Sequence, residues 1–229
     1  MIVHVHLKGE PELLITLSSE ELEKCREFSY ECAKNQQQIE FGQSDTAARG
    51  VTEIGRDNLI GKVAEVAFSK MMMEKYDIPV HLDFSYYPRG LWDAQDATIN
   101  GWRIDVKGTR KGGKWLLVEW SKLNFRKKEG KLSHLYVMAS VMWNRTDETP
   151  ARQVDIVGCA SLRKLLPNVP TTKVLRKGDF IPNTKTRLQA DNYAIHFSDL
   201  FKDWNAVVGE ITSNKPFAAS DYPNPYSIE

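Results

Sequence analysis

Two aspartates and a lysine on one predicted hairpin are the residues of this chain best suited to chemistry. Asp96 and Asp105 flank an Asn100-Gly101 turn, and Lys107 follows Asp105 by two positions. Asn-Gly between alternating apolar and polar residues predicts a two-residue β-hairpin. In that register Asp96 lies opposite Asp105, with Cβ atoms about 4.5–5.5 Å apart. Like charges this close destabilise a sheet, so the pattern predicts a cation between them, either a divalent metal or the Lys107 ammonium.

The same register assigns the two faces of the hairpin. A period of two places five apolar residues on the face that we expect to be buried: Ala97, Ile99, Trp102, Ile104 and Val106. The charged residues share the other face: Asp96, Arg103, Asp105 and Lys107. An acidic residue two positions before a lysine also occurs by chance, as at Glu129. A solvated surface is therefore the alternative interpretation of this face.

A third carboxylate, Glu65, lies on a helix predicted over residues 57–76. Its helical neighbours Phe68 and Met72 place it at the border of the apolar stripe. A carboxylate there is costly unless it pairs with a cation or binds a metal. An ion pair with Lys62 would satisfy Glu65 without any catalytic role, and both interpretations stay open at this point.

The order of these residues resembles the PD-(D/E)XK nuclease superfamily, which includes restriction enzymes, phage nucleases and Holliday-junction resolvases. The resemblance covers residues 58–157 and rests on Glu65 in the first core helix, Asp96 at the first strand, and Asp105 with Lys107 on the second. Later strand-like runs follow the order of the family as well. The resemblance implies an α/β (α+β) fold with a restriction-endonuclease-like core, in which helices flank a central mixed sheet.

The resemblance also implies a reaction. Glu65, Asp96 and Asp105 would bind one or two Mg²⁺ ions, with Mn²⁺ able to substitute, and Lys107 would orient or activate the attacking water. The substrate would be DNA, and hydrolysis of its phosphodiester bonds would leave a 5′-phosphate and a 3′-hydroxyl. A phage or a restriction and defence setting is typical of such enzymes.

The chain departs from the family pattern just before Asp96. Gln95, rather than proline, occupies the preceding position. Asp93 lies close by and is a second candidate for the first metal-binding aspartate.

The charge of the chain is nearly balanced overall but uneven along its length. In 229 residues, 31 lysines and arginines stand against 30 aspartates and glutamates, a net charge of +1. Ten basic and three acidic residues fall between positions 103 and 131, so this window carries +7 and the remainder −6. Basic residues here would neutralise DNA phosphates. The candidates are Arg103, Arg110, Lys111, Lys114, Lys122, Arg126, Lys127, Lys128 and Lys131.

Local patterns predict the elements around these residues. Ser18 and Glu21 form a capping-box pattern that predicts a helix to about residue 38, and residues 42–56 indicate a loop. Strand-like runs occupy residues 96–99, 102–107, 115–120, 135–142 and 154–157. We divide the chain into an N-terminal hairpin and helix (1–56), a nuclease-like core with C-terminal additions (57–212) and an extended tail (213–229).

The composition of the chain indicates where the protein is located and the state of its cysteines. No stretch reaches the roughly 18–20 apolar residues of a membrane helix, and residues 1–10 lack a secretion signal, so we expect a cytoplasmic protein without membrane contact. The cysteines Cys25, Cys32 and Cys159 are too few for a disulfide framework and are expected to be buried thiols.

A Mg²⁺-dependent DNA nuclease is the leading functional prediction. The alternative is a non-catalytic DNA-binding protein that keeps the same fold. A third hypothesis is an interaction module whose basic segment binds a protein partner. A homodimer would suit cleavage of both DNA strands, although the sequence indicates no interface.

Overall fold

The computed structural model describes most of the chain in seven stretches. They are residues 13–37, 51–86, 96–119, 133–144, 146, 148–165 and 171–216. Within them the protein is a mixed α/β structure with eight strands in two sheets. The predicted first strand of the N-terminal hairpin, the tail beyond residue 216 and Asp93 lie outside the described residues.

The helices and strands have the following bounds. The α-helices are α1 (Ser19–Gln37), α2 (Val51–Tyr76) and α3 (Trp204–Ser213). The strands are β1 (Leu14–Thr16), β2 (Ala97–Ile99), β3 (Trp102–Arg110), β4 (Trp115–Glu119), β5 (Leu135–Asn144), β6 (Thr149–Ser161), β7 (Thr172–Leu175) and β8 (Asn192–His196). Two 3₁₀ turns span Leu162–Leu165 and Phe197–Asp199. None of the helices in the described stretches is long and apolar enough to cross a membrane.

The first two helices begin for different reasons. At α1 the predicted capping box is confirmed, since the Glu21 N–H donates to Ser18 Oγ (3.0 Å) and the Ser18 N–H donates to Glu21 Oε2 (2.5 Å). Helix α2 begins at Val51, earlier than predicted, because Gly55 does not end it. A Cβ at Gly55 would lie 3.4 Å from Ala33 Cβ, so this glycine allows α1 and α2 to pack closely.

The larger sheet has the strand order β1-β6-β5-β3-β2. Strands β3 and β5 are parallel and the other neighbours are antiparallel, so the predicted mixed sheet is confirmed. The predicted hairpin register is also confirmed, with pairs Ala97–Ile104, Thr98–Arg103 and Ile99–Trp102. Asn100 and Gly101 have φ of 47° and 82°, the positive values that a type I′ turn requires.

Strand β5 separates two apolar cores. Val137, Ala139 and Val141 face the core formed with the helices, which also buries the apolar face of the hairpin. Tyr136 and Met138 face a second core, formed with the smaller sheet β4-β8-β7. Because both faces are covered, the strand is one continuous apolar run.

Two of the three cysteines belong to the interior. Cys25 and Cys159 are buried, as predicted, while Cys32 is half-buried. Burial raises the pKa of the Cys25 thiol to about 12. This thiol is therefore protonated and unreactive at neutral pH.

The last third of the chain is more regular than its sequence indicates. The edge strand β7 exposes Lys173 and Val174, so it has no buried stripe to identify it. The helical piece predicted around residues 198–204 is a 3₁₀ turn followed by α3, which Asp203 caps by accepting a hydrogen bond from the Ala206 N–H (3.0 Å). Helix α3 buries Trp204, Val207, Val208 and Ile211.

Gly108 lies where β3 passes close to the backbone of α2. A Cβ at this position would lie 2.6 Å from the Ile60 carbonyl oxygen and 3.0 Å from Ile60 Cγ2. Because helix backbone obstructs it, we expect Gly108→Ala to lower the free energy of unfolding by about 1–3 kcal/mol, measured by urea denaturation. Gly209→Ala in α3 is the matched control, since nothing lies within 4 Å of its Cβ. An unchanged urea midpoint in Gly108→Ala would contradict this packing.

Candidate catalytic site

The hairpin places Asp96 beside β3, one residue before β2 begins. The Asp96 N–H donates to the carbonyl oxygen of Ile104 (3.1 Å), the β3 residue that pairs with Ala97. The Asp96 side chain also bonds to β3, because its Oδ2 accepts the Val106 N–H at 2.6 Å. The carboxylate is thereby held beside the part of β3 that carries Asp105 and Lys107.

Lys107 supplies the cation that the two aspartates require. Its Nζ lies 2.5 Å from Asp105 Oδ1, and the two side chains are 27% and 15% exposed. The positive charge of Lys107 also favours the ionised form of Asp96. The sequence allows either a divalent metal or Lys107 as the cation beside the aspartates, and the structure shows Lys107 in that position.

Glu65 approaches the hairpin from α2 and forms an ion pair with Lys62. The side chains of Glu65 and Lys62 are only 14% and 7% exposed. Lys62 Nζ also donates to the Asp83 carbonyl oxygen (2.8 Å) and lies 4.5 Å from the centre of the Phe28 ring. The predicted alternative that Glu65 pairs with Lys62 is confirmed. Removing one partner of such a buried pair costs about 3–5 kcal/mol, so the pair fixes the Glu65 carboxylate in position.

Asp96 is influenced by charged groups on both helix α2 and the hairpin. Burial above all, and then the negative charges of Asp105 and Glu65, hold the pKa of Asp96 well above its ordinary value. The Lys107 ammonium and the Val106 N–H act in the opposite direction without cancelling these effects. The sequence-predicted residues Glu65, Asp96, Asp105 and Lys107 therefore form one charge cluster. Such perturbed groups are typical of sites that bind cations or transfer protons.

The cluster suits a divalent cation by its chemistry. Three carboxylates provide only oxygen donors, the kind that Mg²⁺ prefers. Each is already bonded to a group of the chain: Glu65 to Lys62, Asp105 to Lys107, and Asp96 to the Val106 N–H. Within the described stretches no group of three or more His, Cys, Asp or Glu side chains is arranged to hold a metal ion. Metal binding would therefore require carboxylates to turn from the lysines toward the ion.

Tyr136 lies beside this cluster, although its sequence pattern indicates only a buried strand. The parallel register pairs it with Asp105 across β3 and β5. Burial and then the charge of Asp105 raise the pKa of Tyr136, so its hydroxyl is protonated at neutral pH. No local pattern could have identified it, because the β3–β5 pairing joins distant parts of the chain.

Arg103 and His134 form a second polar contact on the hairpin. The Arg103 N–H donates to His134 Nδ1 (2.9 Å), and Arg103 Nη2 lies 3.3 Å from His134 Nε2. Burial and then the Arg103 charge lower the pKa of His134 to about 4, so the imidazole is neutral. The guanidinium predicted to contact DNA thus already contacts a buried histidine.

The other predicted phosphate contacts fall into two groups. At the end of β3, the Arg110 guanidinium lies 4.5 Å from the centre of the Trp143 ring, and Lys111 and Lys114 are exposed on the turn that follows. These three residues extend from the Lys107 end of the strand. The remaining candidates lie outside the described residues: Lys122, Arg126, Lys127, Lys128 and Lys131.

Asp96→Asn should stabilise the metal-free protein at neutral and alkaline pH. The pKa of Asp96 is raised, so its stabilising contribution is complete below the ordinary value of 3.8 and is lost as the pH rises through the raised value. Asparagine keeps an oxygen acceptor for the Val106 N–H and removes the charge that Asp105 and Glu65 repel. We expect a gain of about 1–2 kcal/mol at pH 8 that shrinks toward pH 4.

Thermal unfolding in EDTA at a series of pH values tests this expectation. A gain of about 1–2 kcal/mol corresponds to about 2–8 °C in Tm for a chain of this size. Asp77→Asn, an exposed substitution at the end of α2, should leave Tm unchanged at every pH. A loss of stability in Asp96→Asn at pH 8 would contradict the proposed repulsion.

Comparisons with known proteins give no match, so the fold and the site alone describe this protein. No protein-family model, curated protein or solved structure matches the chain. The chain is a mixed α/β protein, and at its larger sheet the Asp96 carboxylate lies within the electrostatic influence of Asp105, Glu65 and Lys107.

Proposed function

We propose that this protein is a metal-dependent DNA nuclease of the PD-(D/E)XK type. One observation carries the proposal: the charges of Asp105 on the hairpin and Glu65 on α2 both raise the pKa of Asp96, beside the Asp105–Lys107 ion pair. A restriction-endonuclease-like core would likewise take its site residues from a helix and from the hairpin that follows it in a mixed sheet. The order of the four residues along the chain and the electrostatic effects of Glu65, Asp105 and Lys107 on Asp96 support the proposal.

The residues have separate roles in the proposed hydrolysis. Glu65, Asp96 and Asp105 would hold Mg²⁺, which when bound lowers the pKa of water and offsets negative charge on a phosphate. Asp105 also positions the Lys107 ammonium, which is exposed enough to hold a water molecule or a phosphate oxygen. The protonated Tyr136 hydroxyl beside Asp105 adds no further negative charge to the cluster.

The proposal also covers the reaction products, the location of the protein, its contacts with DNA and its oligomeric state. We propose products with a 5′-phosphate and a 3′-hydroxyl, a cytoplasmic location, and a phage or defence setting. Exposed Lys111 and Lys114, together with Arg110, would contact DNA phosphates on the approach to Lys107. A homodimer would allow both strands of a duplex to be cut.

A non-catalytic DNA-binding protein is the second candidate. It is favoured by the lysine partners of the carboxylates, since Lys62 and Lys107 already neutralise Glu65 and Asp105. In such a protein the ion pairs would be permanent. It should keep its DNA affinity in EDTA and yield no fragments with any divalent cation.

Incubation with several forms of DNA tests the proposal directly. Linear duplex, closed circular, single-stranded and branched DNA are each incubated with Mg²⁺, Mn²⁺ or EDTA, and the products are resolved on denaturing gels. We expect cleavage with either metal and none in EDTA. Cleavage of closed circles would establish internal cutting. DNA binding without fragments under every condition would favour the second candidate, and the absence of salt-sensitive DNA binding would favour a protein-binding module.

A further inference from the structure

An aromatic cluster adjoins the carboxylate site on the side of α1. Phe28 of α1 packs edge-on against Phe84, with ring centres 5.5 Å apart and planes at 83°. Tyr86 stacks on the same Phe28 ring, with centres 5.7 Å apart and planes at 18°. Three rings from two distant segments therefore meet at one place.

Burial alone does not account for this cluster. Phe84 is partly buried against the main core, but Tyr86 does not belong to that core and is 49% exposed. Tyr86 is thus held against a neighbouring ring while half of its surface is open to solvent. Exposed aromatic surfaces of this kind are characteristic of binding sites.

Lys62 joins the aromatic cluster to the proposed catalytic residues. Its ammonium forms the ion pair with Glu65 and lies 4.5 Å from the centre of the Phe28 ring and 5.1 Å from that of Phe84. One side chain therefore contacts both the carboxylate and the aromatic rings. The Glu65 carboxylate and the aromatic cluster are therefore linked through Lys62, and Tyr86 is joined to them by its stacking on Phe28.

One exposed cation lies beside the aromatic rings. The exposed Lys24 holds its Nζ 4.1 Å from the centre of the Phe84 ring, on the side of the cluster formed by α1. A cation beside an aromatic face is the combination with which proteins bind single strands, because the cation contacts phosphate and the ring stacks on a base. A paired base inside a duplex has no free face to offer.

We propose that Tyr86, supported by Phe28, is a stacking platform for an unpaired base next to the scissile phosphate. The choice of DNA as the ligand rests on the proposed nuclease function. The platform defines the substrate class as DNA with unpaired nucleotides at the cleavage position, such as single strands, frayed ends or flaps. Lys24 contacts the phosphate of the stacked nucleotide.

Binding measured without cleavage tests the platform separately from catalysis. A fluorescently labelled single strand, and the same strand in a blunt duplex, are titrated in EDTA with the wild type and with Tyr86→Ala and Tyr86→Phe. We expect Tyr86→Ala to weaken single-strand binding about 5- to 100-fold, the loss of one stacked base, and duplex binding less than about 2-fold. Tyr86→Phe keeps the ring and should bind like the wild type.

Tyr30→Ala is the matched control, since Tyr30 is an α1 tyrosine that is 59% exposed and contacts Lys34. It should leave single-strand affinity unchanged. Equal single-strand affinity in Tyr86→Ala and wild type, an equal loss for single strand and duplex, or a wild type that does not bind single strands would each overturn the platform. If the wild type cleaves duplex DNA with Mg²⁺ in any of these cases, the nuclease proposal stands without it. If single-strand binding depends on Tyr86 but no DNA is cleaved, the stacking proposal is supported and the nuclease proposal is contradicted.

Discussion

Asp105→Asn should abolish Mg²⁺-dependent DNA cleavage while the protein remains folded. Asp105 is the residue on which three of the site's interactions depend: it pairs with Lys107, raises the pKa of Asp96 and raises the pKa of Tyr136. Asparagine keeps the volume but loses the charge that a metal ligand needs. A metal contributes several kcal/mol to such a reaction, and each 1.36 kcal/mol is tenfold in rate, so we expect a loss of about 1,000-fold or more.

The measurement is the single-turnover cleavage rate at a series of Mg²⁺ concentrations, with circular dichroism to verify folding. Asp77→Asn is the matched control, since Asp77 is exposed at the end of α2 with φ of 54°, a conformation that asparagine tolerates equally well. We expect this control to cleave like the wild type. Wild-type rates in Asp105→Asn would exclude Asp105 from the catalytic site.

Lys107→Ala should also abolish cleavage, but with a different dependence on metal. The Lys107 ammonium is the positive group of the cluster that is fixed by Asp105 and still 27% exposed, so it can reach water or phosphate. Removing a positioned charge of this kind costs about 10²–10³-fold in rate. Because Lys107 is not a metal ligand, raising the Mg²⁺ concentration should not restore activity to this variant. Lys107→Arg should restore little, since the guanidinium is planar and larger.

Lys114→Ala is the control for Lys107. Lys114 is an exposed lysine on the turn that follows the same strand, where it would contact DNA but not the reacting phosphate. We expect it to raise KM and to weaken the salt dependence of DNA binding while kcat is retained. A variant Lys107→Ala that loses only DNA affinity, with its maximal rate intact, would assign Lys107 to phosphate binding rather than to catalysis.

The parts of this protein that the sequence predicts correctly are those decided by local interactions. The Asn100-Gly101 turn determines its own backbone conformation, so the hairpin register and its buried face follow from a few adjacent residues. The α1 capping box is equally local, since Ser18 and Glu21 satisfy each other's backbone N–H groups. The beginning of α2 was predicted too late because Gly55 indicates a loop unless its packing on α1 is known.

By itself, the sequence determined which residues could form a site and the hairpin register from Ala97–Ile104 to Ile99–Trp102, because a two-residue turn joins the two strands. Only the tertiary structure decided that Glu65 pairs with Lys62 while its charge raises the pKa of Asp96, and that Tyr136 pairs with Asp105 across β3 and β5. It also decided that Phe28 and Tyr86 meet next to Lys62. These contacts join residues far apart along the chain, and packing of α1, α2 and β5 around β3, rather than any local pattern, determines their distances.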